Sequence, residues 1–124
     1  MVERPLSPHL QIYRPMLTMM MSIVHRLTGV ALYLGTLLVA WWLVAAAMGA
    51  DAYAFYQAVA GSLFGRIVLI GFTWALLHHM LGGIRHLIWD AGYGFNLPRV
   101  EWLARATLTC SVLGTVLVWS LACL

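Results

Sequence analysis

Charged side chains are absent from three long stretches of the chain: Leu27 to Ala50, Ile67 to Ile84 and Ala106 to Leu124. An amphipathic helix of a soluble domain keeps one polar face. These stretches are apolar on every face. About 20 residues of helix cross the hydrocarbon of a bilayer. The first and third runs reach that length alone, and the second reaches it with its flanks. The pattern predicts an all-α membrane protein with three transmembrane helices, at about 22–49, 65–89 and 103–123, behind an N-terminal segment 1–21. Residues 1–124 read as a single membrane-anchor domain, without an internal repeat. The link Asp51 to Arg66 carries Tyr53, Phe55 and Tyr56, which suits a short interfacial helix. The link Asp90 to Arg105 holds the breakers Gly92, Gly94 and Pro98.

Composition agrees. Of 124 residues, 63% are apolar and 9% charged, against about a quarter charged in soluble domains. A chain this short buries too little surface to hide that excess from water, so lipid is its natural solvent. The net charge is +3, and every positive side chain is Arg. Basic balance can signal nucleic acid. Here the arginines stand singly at the ends of apolar runs, as membrane proteins place them, so nucleic acid is not an expected partner. Arg4, Arg14, Arg26, Arg85, Arg99 and Arg105 fall on one side of the three spans, and only Arg66 on the other. That asymmetry predicts an N-terminus inside and a C-terminus outside, in a bacterial cytoplasmic (inner) membrane or the equivalent mitochondrial inner membrane. Cys110 and Cys123 lie about 20 Å apart on one helix, which excludes a disulfide within the chain. The opening residues, with Glu3, Pro5 and Pro8, lack the apolar core of a signal peptide.

Ionisable groups at membrane depth are costly and usually functional. Two clusters stand out. In Ser22-Ile-Val-His25-Arg26-Leu-Thr-Gly29, the residues Ser22, Arg26, Gly29 and Tyr33 share one helix face, with His25 beside them. They form a compact group of hydrogen-bond donors, or Arg26 snorkels to headgroups. In His78-His79-Met-Leu-Gly-Gly83-Ile-Arg85-His86-Leu-Ile-Trp-Asp90, one face holds His79, Gly83, His86 and Asp90. His79 lies about 10 Å deeper than His86. A glycine one turn from it allows a flat group to lie against the backbone, as a porphyrin with an imidazole on its iron requires. A histidine bonded to a neighbouring helix explains the same spacing. In span three, Thr107, Ser111, Gly114 and Thr115 read as small packing residues. The tryptophans Trp41, Trp42, Trp74 and Trp119 read as packing or interface anchors.

These clusters, together with Arg4-Pro-Leu-Ser-Pro-His-Leu10 and Ile12-Tyr13, resemble the larger cytochrome b membrane-anchor subunit of succinate dehydrogenase, respiratory complex II. The match extends over nearly the whole chain, and the opening motif is closest to the mitochondrial and related bacterial branch. The resemblance implies a complex of four subunits: a flavoprotein, an iron–sulfur subunit, and two small membrane anchors that hold haem b and bind ubiquinone. His79 matches the axial ligand to the haem iron. Ser22 and Arg26 match the quinone-site pair, and Asp90 an acidic residue near that pocket. His25, Arg26, Arg85 and His86 lie where haem propionates and the pocket would be served. No residue is implied to be catalytic towards succinate itself. His78 departs from the simple pattern by offering a rival imidazole about 100° round the helix.

In this scheme Ser22 and Arg26 donate to quinone oxygens as negative charge builds there. The haem is expected to take its second histidine from the other anchor subunit. His86 and His78 share a helix with His79, and His25 is placed about two turns shallower; the alternative is a pairing of His25 with His86 at the inner edge, with the haem nearer water. The competing readings are the anchor of a quinol:fumarate reductase, a haem-free structural anchor, and a small transporter or channel subunit. The apolar outer halves of the spans argue against a channel.

Overall fold

The structure, a computed structural model, describes Pro5, Pro8 and residues 12–122. Most of the Arg4 to Leu10 motif and Cys123 lie outside the described residues. Four helices follow in order: α1 Leu17–Met48, α2 Ala50–Gly61, α3 Leu63–Asp90 and α4 Leu97–Ala122. Every regular element among the described residues is helical. Three of them, α1, α3 and α4, are long and apolar enough to cross a membrane. The short α2 occupies the first link.

The helices start earlier than the charge-free stretches because a helix does not stop at the membrane surface. Pro15 stands just before α1, and Met16 is extended at φ −79°, ψ 147°. At 32 residues, α1 runs about 48 Å at 1.5 Å per residue, well beyond a hydrocarbon core of about 30 Å. His25 is therefore already two turns inside the helix.

Each corner has a chemical cause. Gly49, at φ 108°, breaks α1 from α2 in a conformation that glycine alone adopts without strain. Ser62 caps α3: its hydroxyl accepts from the Gly65 N–H at 3.1 Å and donates to the Val59 carbonyl at 2.6 Å. Any side chain at Gly65 would strike the carbonyls of Val59 and Ala60, so the tight α2–α3 corner depends on that glycine. Gly92 and Gly94 have φ of 84° and 80° and reverse the chain into α4, whose first turn accepts Pro98.

α3 lies between α1 and α4 and packs on both. Small residues bring the backbones together. Gly35 of α1 lies directly under the Phe72 ring of α3. Gly114 of α4 lies against Leu77 Cδ1, 3.1 Å from where its own Cβ would be. Thr107, Ser111 and Thr115 form a buried stripe on the α3 side of α4. Their hydroxyls donate to the carbonyls of Leu103, Leu108 and Ser111, each at 2.8 Å, so no donor is stranded in the apolar interior. Trp119 Nε1 donates to Thr73 Oγ1 at 3.2 Å, and Trp41 meets Tyr56 of α2 edge-on at 4.9 Å between ring centroids. Large apolar side chains such as Leu34, Leu37, Leu43 and Leu117 point outward, which costs nothing in lipid.

Candidate functional site

Histidines of α1 and α3 meet at one seam. His25 turns inward from α1 and stacks on His79 of α3, with ring centroids 4.0 Å apart and planes within 5°. His86 lies 5.2 Å from His25 and also contacts Trp89 edge-on at 5.2 Å. Three histidines on two helices thus form one aromatic column.

Glycines make this approach possible, and they do so reciprocally. A Cβ on Gly82 of α3 would overlap the His25 ring. A Cβ on Gly29 of α1 would lie 3.1 Å from His79 Cε1. Each helix therefore seats the other's imidazole on bare backbone. Gly83, one residue from Gly82, has nothing within 4 Å of its missing Cβ. That strip of α3 is open, on the same face as His79.

This geometry corrects the depth assigned to His25 from the sequence. The His25 and His79 rings are level, because α1 crosses α3 where His25 lies on Gly82 and His79 on Gly29. The two rings still cannot serve one metal. The lone pair of an imidazole lies in its ring plane, and a metal–nitrogen bond is about 2 Å long. Two parallel rings 4.0 Å apart cannot both aim in-plane lone pairs at one atom.

The hydrogen bonds of the column are few. His79 Nδ1 lies 3.1 Å from the His25 carbonyl and 3.3 Å from Thr28 Oγ1. Thr28 is itself buried, and its hydroxyl donates to the His25 carbonyl at 2.9 Å. His25 Nδ1 is buried without a partner among the described residues.

The remaining sequence candidates separate into two groups. Ser22, Arg26 and Asp90 are exposed. Ser22 and Arg26 stand one turn apart on α1, about 60° and 100° round the helix from the inward His25. Arg85 is 3% exposed and sits over the Trp89 ring at 5.1 Å, with no partner for its Nε among the described residues. It faces the bundle interior, whereas His86 is exposed. His78 is fully buried, bonded through Nδ1 to Ser111 Oγ of α4 at 3.1 Å and packed beside Trp74.

Sequence reasoning passed over Thr28, Gly82 and the partnership of His78 with Ser111. Thr28 carried a signal, since it lies three residues after His25 and hence on the same face. Gly82 carried none apart from its neighbour Gly83. Which of two adjacent glycines is occupied depends on where α1 crosses.

Residues 2–121 match the family described as succinate dehydrogenase/fumarate reductase transmembrane subunit. The chain belongs to this family. Among its relatives is the succinate dehydrogenase cytochrome b556 subunit of Paracoccus denitrificans, 46% identical over 93% of this chain and 88% of that protein. The cytochrome b556 subunit of Rickettsia prowazekii is 38% identical over 94% of this chain and 91% of its own. The mitochondrial cytochrome b560 subunit of Sus scrofa is 38% identical over 92% and 69% respectively. Membership accounts for the three crossings, and sets the histidine seam in a transmembrane subunit. An apolar groove of 610 Å³ between α1 and α3, bounded by Thr28, Ala31, Leu34, Gly71 and Ala75, contains no titratable group.

Proposed function

We propose that this chain is the membrane-anchor cytochrome b subunit of a succinate:quinone oxidoreductase. In this reading it holds haem b through His79, shares that haem with a second anchor subunit, and forms part of the ubiquinone site. The observation that carries the reading is the seam itself. Within a chain of this family, His79 lies beside an open strip of backbone at Gly83, as a flat macrocycle on an imidazole requires. His25 is stacked parallel to His79 and would not share one metal with it, which supports a second imidazole supplied by the other anchor subunit.

Haem, when bound, supplies a one-electron store next to the quinone. The chain's own residues bind and orient. Ser22 donates its hydroxyl to one quinone carbonyl, and Arg26 holds its guanidinium near the oxygen that becomes negative. Both are exposed on α1, and preorganised donors act strongly where water is scarce. Asp90, at the end of α3, lies at the same membrane edge, where protons are available. His25, Arg26, Arg85 and His86 serve the propionates and pocket walls, Arg85 from the interior against Trp89 and His86 from the exposed side. The arginine asymmetry puts this edge inside the cell or the matrix, where an iron–sulfur subunit and its flavoprotein dock. We take succinate oxidation as the working direction because the three relatives described above carry the succinate dehydrogenase name.

Mild-detergent purification of the tagged chain tests this directly. The expected result is co-purification of a flavoprotein, an iron–sulfur protein and a second small membrane protein, with a low-spin haem spectrum that His79→Ala abolishes. Purification without partners, or a haem spectrum untouched by His79→Ala, refutes the assignment.

A further inference from the structure

Two adjacent histidines of α3 use the same device, and only one of them can offer a nitrogen to a ligand. His79 Nδ1 lies 3.1 Å from the backbone carbonyl of His25. A carbonyl oxygen has no proton to give, so Nδ1 carries the hydrogen. The second contact agrees. Thr28 spends its one hydroxyl proton on the same carbonyl, at 2.9 Å. Its oxygen, 3.3 Å from Nδ1, can then only accept. Two acceptors converge on one N–H, which leaves the lone pair of a neutral ring on Nε2.

His78 follows the same logic on the other flank. Ser111 donates its proton to the Leu108 carbonyl at 2.8 Å and so accepts from His78 Nδ1 at 3.1 Å. The lone pair of His78 also falls on Nε2, but that atom is buried in the α3–α4 interior, where no partner reaches it among the described residues. His78 is a clasp between α3 and α4. His79 is only half-buried, and its Nε2 is the one a ligand can approach.

We propose that Thr28 is a positioning residue for His79. Its hydroxyl, with the carbonyl of His25, captures the Nδ1 proton, fixes the tautomer and ring orientation, and reserves Nε2 for a metal. Partners of this kind behind a ligating histidine raise its basicity, and their loss typically weakens metal binding about 10–100-fold. Thr28 is 3% exposed, so water cannot replace a lost hydroxyl.

The haem arm of the test rests on the assignment of His79 as a haem ligand, and the tautomer arm does not. In the purified complex, Thr28→Val, which keeps shape and loses the hydroxyl, is expected to speed haem loss to a scavenging apoprotein about 10–100-fold. It should also shift the low-spin electron paramagnetic resonance signal, which reports ring orientation and is indifferent to general stability. Thr28→Ser should restore both. Equal haem retention and an unchanged signal in wild type and Thr28→Val would overturn the proposal. Nitrogen-15 resonances of labelled histidine in the full chain, assigned by their disappearance in His79→Gln, should show a protonated Nδ1 and an unprotonated Nε2. The reverse pattern at His79 overturns the proposal even if haem is bound. A complex that never contains haem but shows a protonated Nδ1 refutes the haem reading and leaves the hydrogen-bond assignment standing.

Discussion

Gly82→Ala and Gly83→Ala add the same atom to neighbouring positions of one helix and should have opposite effects. At Gly82 the new Cβ overlaps the His25 ring, whose Nδ1 is buried and whose face is stacked on His79 at 4.0 Å. The ring cannot swing away without breaking that stack, so the side chain does not absorb the clash as a flexible tip would. Overpacking of this kind costs about 1–3 kcal/mol. At Gly83 the new Cβ meets nothing. Both substitutions gain helix propensity of up to about 1 kcal/mol, and that gain cancels between them. Gly82→Ala should therefore be less stable than Gly83→Ala by about 1–3 kcal/mol. The measurement is unfolding of the purified chain in a mild detergent titrated with sodium dodecyl sulfate, followed by far-ultraviolet circular dichroism. Combining Gly82→Ala with His25→Ala removes the obstacle, so the two changes should couple favourably by about 1 kcal/mol or more, as contacting residues do. Equal stability of the two alanine variants, or strict additivity in the double variant, would refute the seating of His25 on Gly82.

Other expectations follow from the same geometry. A reporter active only outside the cytoplasmic membrane should work when fused after Leu124 and fail after Arg99; the opposite pattern reverses the orientation drawn from the arginines. Ser22→Ala and Arg26→Leu should each slow succinate-to-quinone electron flow by on the order of 100-fold, about 3 kcal/mol as at comparable donor sites. Succinate oxidation with a soluble dye acceptor should survive, and unchanged quinone kinetics in both variants would move the pocket elsewhere. Ser111→Ala strands the Nδ1–H of a fully buried His78 and should destabilise the chain by about 1–3 kcal/mol, read in the same detergent titration. Ser111→Thr, which retains the hydroxyl, should lose less.

Much of the molecule was decided locally, by the chain's chemistry. Three charge-free runs become spanning helices because no backbone amide can go unpaired in lipid. Gly49, Ser62, Gly92 and Pro98 mark the corners because each has a local property, a positive φ, a capping hydroxyl or a fixed φ, that the turn requires. The stripe of Thr107, Ser111 and Thr115 was legible as a packing face by its spacing alone. The helix faces of the site were legible too, since helical periodicity groups Ser22 with Arg26 and His79 with Gly83 and His86.

Tertiary structure decided what those faces meet. Periodicity states which residues of one helix are neighbours, but not the height at which two helices cross. His25 therefore read as two turns shallower than His79, while in the fold their rings stack. The same crossing selects Gly82 rather than Gly83 as the seat of an imidazole and leaves Gly83 open. It also gives His78 and His79 different partners. The two are chemically identical in sequence, and they differ only because α4 brings Ser111 to one while α1 brings Thr28 and a backbone carbonyl to the other. Relative depth and azimuth between helices are set by side-chain packing across the whole bundle. That information is spread over many residues, and no single motif carries it.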